Sequence, residues 1–162
     1  MSDPELRVTK VKWDLKKVRI EYERIRPEGD PDEFVIGCGD EPSRAFKDAL
    51  AALRIDLNTI CQFDPPLDVT IRGVSFSWTD DIMGACITAL KSLTTANSPL
   101  VLTTPHVPEK PYGETGGGPT MPAGMAERLE RLIDEARRYI LGGAREQARL
   151  FDPPAAGEGA QS

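Results

Sequence analysis

Two consecutive stretches of apolar–polar alternation constrain this chain most. Val11, Trp13 and Leu15 alternate with polar residues, and Val18, Ile20 and Tyr22 do the same. A period of two puts one set of side chains on a buried face and the other in water, the pattern of a strand with one wet side. The short polar link from Asp14 to Lys17 joins the two as a hairpin. It lacks the Gly or Asn that the tightest hairpin turns favour. A chain that opens this way must cover the apolar face of a sheet, and the rest of the sequence has to supply the cover.

One cover is a helix. Phe46, Leu50, Leu53, Leu57 and Ile60 recur at steps of three and four, which puts all five on one helix face. Asp40-Glu41-Pro42-Ser43 supplies acidic and hydroxyl caps and an early proline at its start. Asp64-Pro65-Pro66 is expected to stop it. Before it, Arg26 to Asp32 is a turn cluster and Glu33 to Cys38 a third strand.

After it, Val69 to Trp78 reads as a strand, with Val74, Phe76 and Trp78 on one face. Gly73 marks a bulge where Ile71 and Val74 change phase. Thr79-Asp80-Asp81 turns the chain. Met83 to Leu93 fits helix or strand. The β-branched Ile87-Thr88 and the step Cys86, Thr88, Leu90 favour a strand. Leu100 to Thr104 is a last strand. A second helix follows, with Met125, Leu129, Leu132, Ile133, Ala136 and Ile140 as its stripe and Gly142-Gly143 as its end.

The expected fold class is therefore α+β: an antiparallel-rich sheet of about six strands with one central and one C-terminal helix. Residues 1–104 are the body and 105–122 a Pro/Gly-rich linker. Residues 123–143 are the C-terminal helix and 144–162 a flexible tail that carries a docking peptide. The chain of 162 residues suits one domain with a tail, and its 14 Gly and 14 Pro account for a modest hydrophobic share of 40%.

Composition narrows the function. The net charge of −6 argues against nonspecific nucleic-acid binding by the whole surface. Cys38, Cys61 and Cys86 are isolated and there is one histidine, His106, so zinc ribbons and disulfide frameworks are not expected. No apolar run approaches the roughly 20 residues that span a bilayer. Met1-Ser2-Asp3-Pro4-Glu5 has no apolar signal core. A cytoplasmic protein with no membrane partner is expected.

Several patterns that suggest chemistry have plainer readings. Gly113 to Gly118 lacks the Gly-Lys-Ser/Thr ending of a phosphate loop and reads as flexible linker. Asp80-Asp81 lacks the further oxygen ligands of a metal site. His106 has no thiol or activated serine near it in sequence. No catalytic, cofactor-binding or metal-binding residue is assigned, no cofactor is expected, and the chain reads as a binding protein rather than an enzyme. Carboxylates that converge only on folding are the route to an enzyme.

Two binding patterns remain. Arg7, Lys10, Lys12, Lys16, Lys17 and Arg19 crowd the first hairpin with only Asp14 against them, and Trp13 and Tyr22 flank them. Lys10, Lys12, Trp13, Lys16, Lys17, Arg19 and Tyr22 are candidate residues for single-stranded DNA, the aromatics by stacking on bases. A solvated hairpin face is the plainer alternative.

The other pattern is Gln147-Ala148-Arg149-Leu150-Phe151 near the chain's end. It resembles the short clamp-binding peptide of bacterial replication and repair proteins, commonly Gln-Leu-Ser/Asp-Leu-Phe in a flexible segment. Gln147 takes the glutamine place and Leu150-Phe151 the hydrophobic pair, while Ala148 departs from the usual leucine. By that resemblance, Leu150 and Phe151 enter an apolar pocket on the bacterial DNA polymerase sliding clamp and Gln147 fixes the register. An intramolecular hydrophobic latch is the alternative.

Val74-Ser75-Phe76-Ser77-Trp78, Met83-Gly84-Ala85, Asn97-Ser98-Pro99-Leu100 and Thr104-Pro105-His106, with the Gln-x-x-Leu-Phe end, carry a wider resemblance. Together they resemble a group of small uncharacterised phage and prophage proteins, from the first hairpin to Phe151. That resemblance implies a setting in phage DNA replication or recombination inside a bacterial host, and brings no catalytic residues with it. The expected function is an accessory protein tethered to the host clamp.

Overall fold

In this computed structural model, residues 6–14, 17–38, 42–111 and 118–151 are described, with 38 and 143–151 by backbone alone. The opening hairpin pairs β1 (Leu6–Trp13) with β2 (Val18–Arg24). Its turn is held by Asp14, whose Oδ1 accepts from the Lys17 N–H at 2.8 Å. A side-chain oxygen thus does what Gly or Asn backbone freedom does elsewhere. Leu15, expected as the last alternating residue of the first strand, lies outside the described residues.

β3 (Asp32–Cys38) pairs β2 along its whole length. On the other side β1 meets β4 (Thr70–Thr79), which forms a long hairpin with β5 (Ile82–Lys91). Asp80 and Asp81, the two residues of its turn, both have positive φ, 51° and 63°. That is the mirror-image turn whose twist suits a hairpin. The register slips between Ile71 and Gly73, where the alternation changes phase. With β6 (Leu100–Thr103), the order is β3-β2-β1-β4-β5-β6, every pair antiparallel.

The helices cover one face. Ser43 caps α1 (Arg44–Ala51), its hydroxyl accepting from the Phe46 N–H. The single central helix expected from the spacing is broken in two: α2 (Arg54–Ile60) follows after a tightened turn. There the Leu53 and Asp56 N–H groups bond three residues back rather than four. That change of winding keeps Leu53 and Leu57 buried and brings Asp56 and Asn58 inward as well. The helix also ends before Asp64. Gln62 adopts a left-handed conformation, φ 59°, and the Phe63 and Gln62 N–H groups close on Asn58 and Thr59 carbonyls. This is the two-bond stop usually built on glycine.

The long helix α3 (Met125–Phe151) starts two residues later than expected and continues through Gly142-Gly143 to Phe151. Glycine lowers helix propensity without forbidding it, and the propagating hydrogen bonds carry the helix across. Residues 144–151, expected as flexible tail, are thus helical in backbone. Residues 152–162 lie outside the described residues. The core joins Val8, Val11, Val18, Ile20, Val74, Phe76, Met83 and Ile87 of the sheet to Phe46, Leu50, Leu53, Leu57, Met125, Leu129 and Leu132 of the helices.

Part of the expected linker is ordered. β7 (Val107–Pro108) pairs β5 opposite Ala85 and Gly84, the Glu109 N–H bonds the Met83 carbonyl, and the Met121 N–H bonds the Pro108 carbonyl. Val107 is buried, so an apolar side chain anchors a stretch that Pro and Gly content alone marks as loop. Between β6 and β7 the Thr104 hydroxyl accepts from the Ile87 N–H and keeps that edge of β5 paired across Pro105.

Candidate functional site

The face of the sheet away from the helices carries two cross-strand rows. One runs Val35, Glu21, Lys10, Ser75, Cys86 and the other Gly37, Arg19, Lys12, Gly73, Thr88, Thr103. Lys10, Lys12 and Arg19 are exposed, and the only carboxylate in the two rows, Glu21, lies 3.5 Å from Arg19. The β4–β5 part of the surface is small and flat: Gly, Ser, Cys and Thr. Gly73 is dictated by close approach, since a Cβ there would stand 2.5 Å from the Val11 carbonyl oxygen. Burial pushes the Cys86 thiol up from its ordinary range, as it does for Cys61, so both are held in the unreactive protonated form.

One end of this face brings together a pair that sequence distance hides. His106 Nε2 and Ser77 Oγ are 2.7 Å apart, from the β6–β7 connection and β4. The imidazole lies across Gly84, where any Cβ would overlap it. A hydroxyl beside an imidazole is the elementary nucleophile–base contact, and it also pins the connection to the sheet.

The candidate DNA-binding residues divide between two faces. Lys10, Lys12 and Arg19 share the open face and Lys17 is exposed at the turn; Lys16 lies outside the described residues. Trp13 and Tyr22 pack against the core, with Tyr22 stacked on Phe34 at 5.3 Å between ring centroids. In strands, residues an odd number of positions apart face opposite ways, so these aromatics do not share the surface of Lys10, Lys12 and Arg19.

The helix side holds an ion pair with no sequence signature. Asp56 is fully buried and accepts from Arg128 Nε at 2.8 Å and Nη2 at 2.5 Å. Those hydrogen bonds hold the Arg128 guanidinium charged beyond even its ordinary range. Asn58 exchanges hydrogen bonds with the backbone of Leu67 and donates to Arg54, fixing the loop after α2. Beside it lies an open depression of about 530 Å³ lined by Arg54, Ile55, Phe63 and Leu67 among others. A smaller one of about 160 Å³ lies between Trp13, Leu50 and Ile71. Among the described residues, Asp68 is the only carboxylate on either wall. No group of three or more His, Cys, Asp or Glu that could hold a metal ion occurs among the described residues. Nor is any described helix long and apolar enough to cross a membrane.

Gln147, Leu150 and Phe151 stand at positions i, i+3 and i+4 in the final turns of α3. Gly142-Gly143 separates them from Ile140, which is buried. No protein family, curated protein or solved structure matches this chain.

Proposed function

We propose that this protein is a non-catalytic accessory factor of DNA replication or recombination in a bacterial cell, of phage or prophage origin. It docks on the DNA polymerase sliding clamp through Gln147, Leu150 and Phe151. The observation that carries this reading is the placement of the peptide. It occupies the last turns of the long helix α3, beyond two adjacent glycines. Each glycine costs a helix interior about 1 kcal/mol relative to alanine. The eight residues after Gly143 can therefore leave the helix at low cost and present a short peptide while the body stays folded. Docking of this kind is about micromolar, about −8 kcal/mol, after the segment has been ordered. Tethering then raises the local concentration of the body at the replication machinery. A labelled clamp-binding peptide, prebound to the clamp, tests it: the intact protein displaces the label and the Leu150→Ala/Phe151→Ala variant does not. Failure of the intact protein to compete removes the reading.

A second reading rests on the shared face of Lys10, Lys12 and Arg19: an electrostatic track for single-stranded DNA. The absence of Trp13 and Tyr22 from that surface makes it a backbone reader rather than a base stacker. Charge reversal at the three positions is then expected to abolish binding and flatten its salt dependence. Salt-independent or unchanged binding contradicts it.

A further inference from the structure

The two edges of the sheet are built differently. The β6–β7 edge is four residues, a break at Pro105, then two residues ending in Pro108. Short strands, prolines and kinks are the usual protections against unwanted pairing. The β3 edge has none of them. β3 runs seven residues, pairs β2 without a register shift, and contains neither Pro nor Lys. Among the described residues it pairs with nothing on its outer side. Val35, at its centre, is 59% exposed.

We infer that β3 pairs with β3 of a second copy of this chain, antiparallel across a two-fold axis at Val35. Three features of the strand select that partner and register. This register alone overlaps all seven residues, and sets Val35 against Val35, Phe34 against Ile36 and Glu33 against Gly37. Val35, Phe34 and Ile36 thus each meet an apolar residue on their own face.

The charges also complement each other. Glu33 stands directly opposite Glu23 within one chain, an unfavourable like-charge cross-strand pair. Gly37 stands opposite Arg19, with Lys12 beyond it. The two-fold brings the Glu33-Glu23 pair of one copy, with Arg7 beyond it, against the Gly37-Arg19-Lys12 row of the other. The missing side chain at Gly37 leaves room for Arg19 to reach Glu33 across the junction. The fold itself does not demand glycine there: a Cβ at Gly37 would meet only the Val18 carbonyl oxygen, at 4.0 Å. The result is one continuous sheet with the helices of both copies on the same side. A ladder of this length is smaller than a standard interface of roughly 1,600 Å², the class to which weak, reversible associations belong.

Sedimentation velocity of the full chain from about 5 to 200 µM tests this. The expected result is a reversible shift from one chain of 17.8 kDa toward twice that mass. Val35→Lys, an exposed substitution that leaves the fold intact by circular dichroism, is expected to weaken association at least tenfold. Glu33→Arg is expected to do the same, and Arg19→Glu added to it to restore the dimer. A monomer throughout overturns the inference. So does a dimer indifferent to Val35→Lys and Glu33→Arg, which places the contact elsewhere. Loss in Glu33→Arg without rescue by Arg19→Glu removes the proposed register.

Discussion

Asp56 is fully buried and receives a bidentate pair of hydrogen bonds from Arg128, 72 residues further along the chain. The pair ties α2 to the first turns of α3, and so holds the long helix against the body. Arg128→Ala leaves a carboxylate in the interior with no counter-charge, which costs about 3–5 kcal/mol. Replacing both residues, Asp56→Leu with Arg128→Met, removes both charges and is expected to recover most of that loss. Urea denaturation of the two variants against the parent measures the difference. Equal destabilisation by both would show that the ion pair is not the cause.

Two glycines in the paired β4–β5 hairpin answer differently to alanine. At Gly73 the new Cβ meets Val11 backbone in the centre of the sheet, which cannot step aside. A loss of about 1–3 kcal/mol is expected, with weakened β1–β4 pairing. At Gly84 it meets the end of the His106 ring and the Ser77 hydroxyl, side-chain atoms rather than backbone. That variant is expected to lose the Ser77–His106 contact for about 1 kcal/mol or less. Thermal melts rank the two, and imidazole chemical shifts report whether His106 has moved.

Gln62 holds a left-handed backbone at the end of α2. Gln62→Gly keeps both hydrogen bonds of the helix stop and removes the steric penalty, for a gain of about 1 kcal/mol. Denaturant midpoints check it; a loss of stability would mean that the side chain, not the backbone, is what the position needs.

Gly142→Ala with Gly143→Ala stiffens the junction within α3 by about 2 kcal/mol. Helical signal in circular dichroism is expected to rise. Docking that requires the segment to leave the helix weakens by up to roughly 30-fold. Unchanged affinity would mean that the peptide is recognised as a helix.

Much of the sheet could be read from the sequence because alternation survives any tertiary detail. The bulge at Gly73 was visible as a change of phase between Ile71 and Val74. The split of the central helix was not, because Leu53 keeps its place in the apolar stripe across the break. The clue was Asp56, a carboxylate beside Leu53 and Leu57 on the buried side, but nothing local points to Arg128 as its partner. Composition misled at two places. Val107 sits among prolines yet anchors β7, and the helix crosses Gly142-Gly143 where glycines were expected to end it. Of the candidate sites, Lys10, Lys12 and Arg19 share a face as period two dictates. The same rule sends Trp13 and Tyr22 to the other side, and the contact of Ser77 with His106 depends on a chain reversal that only the fold supplies.

Surface plasmon resonance of the full chain over an immobilised bacterial sliding clamp, beside the Leu150→Ala/Phe151→Ala variant, tests the clamp proposal most directly. The expected result is about micromolar binding by the intact protein, lost in the variant while the folded body is unchanged by circular dichroism. No binding to the clamp of its own host, or binding that survives the double substitution, would contradict it.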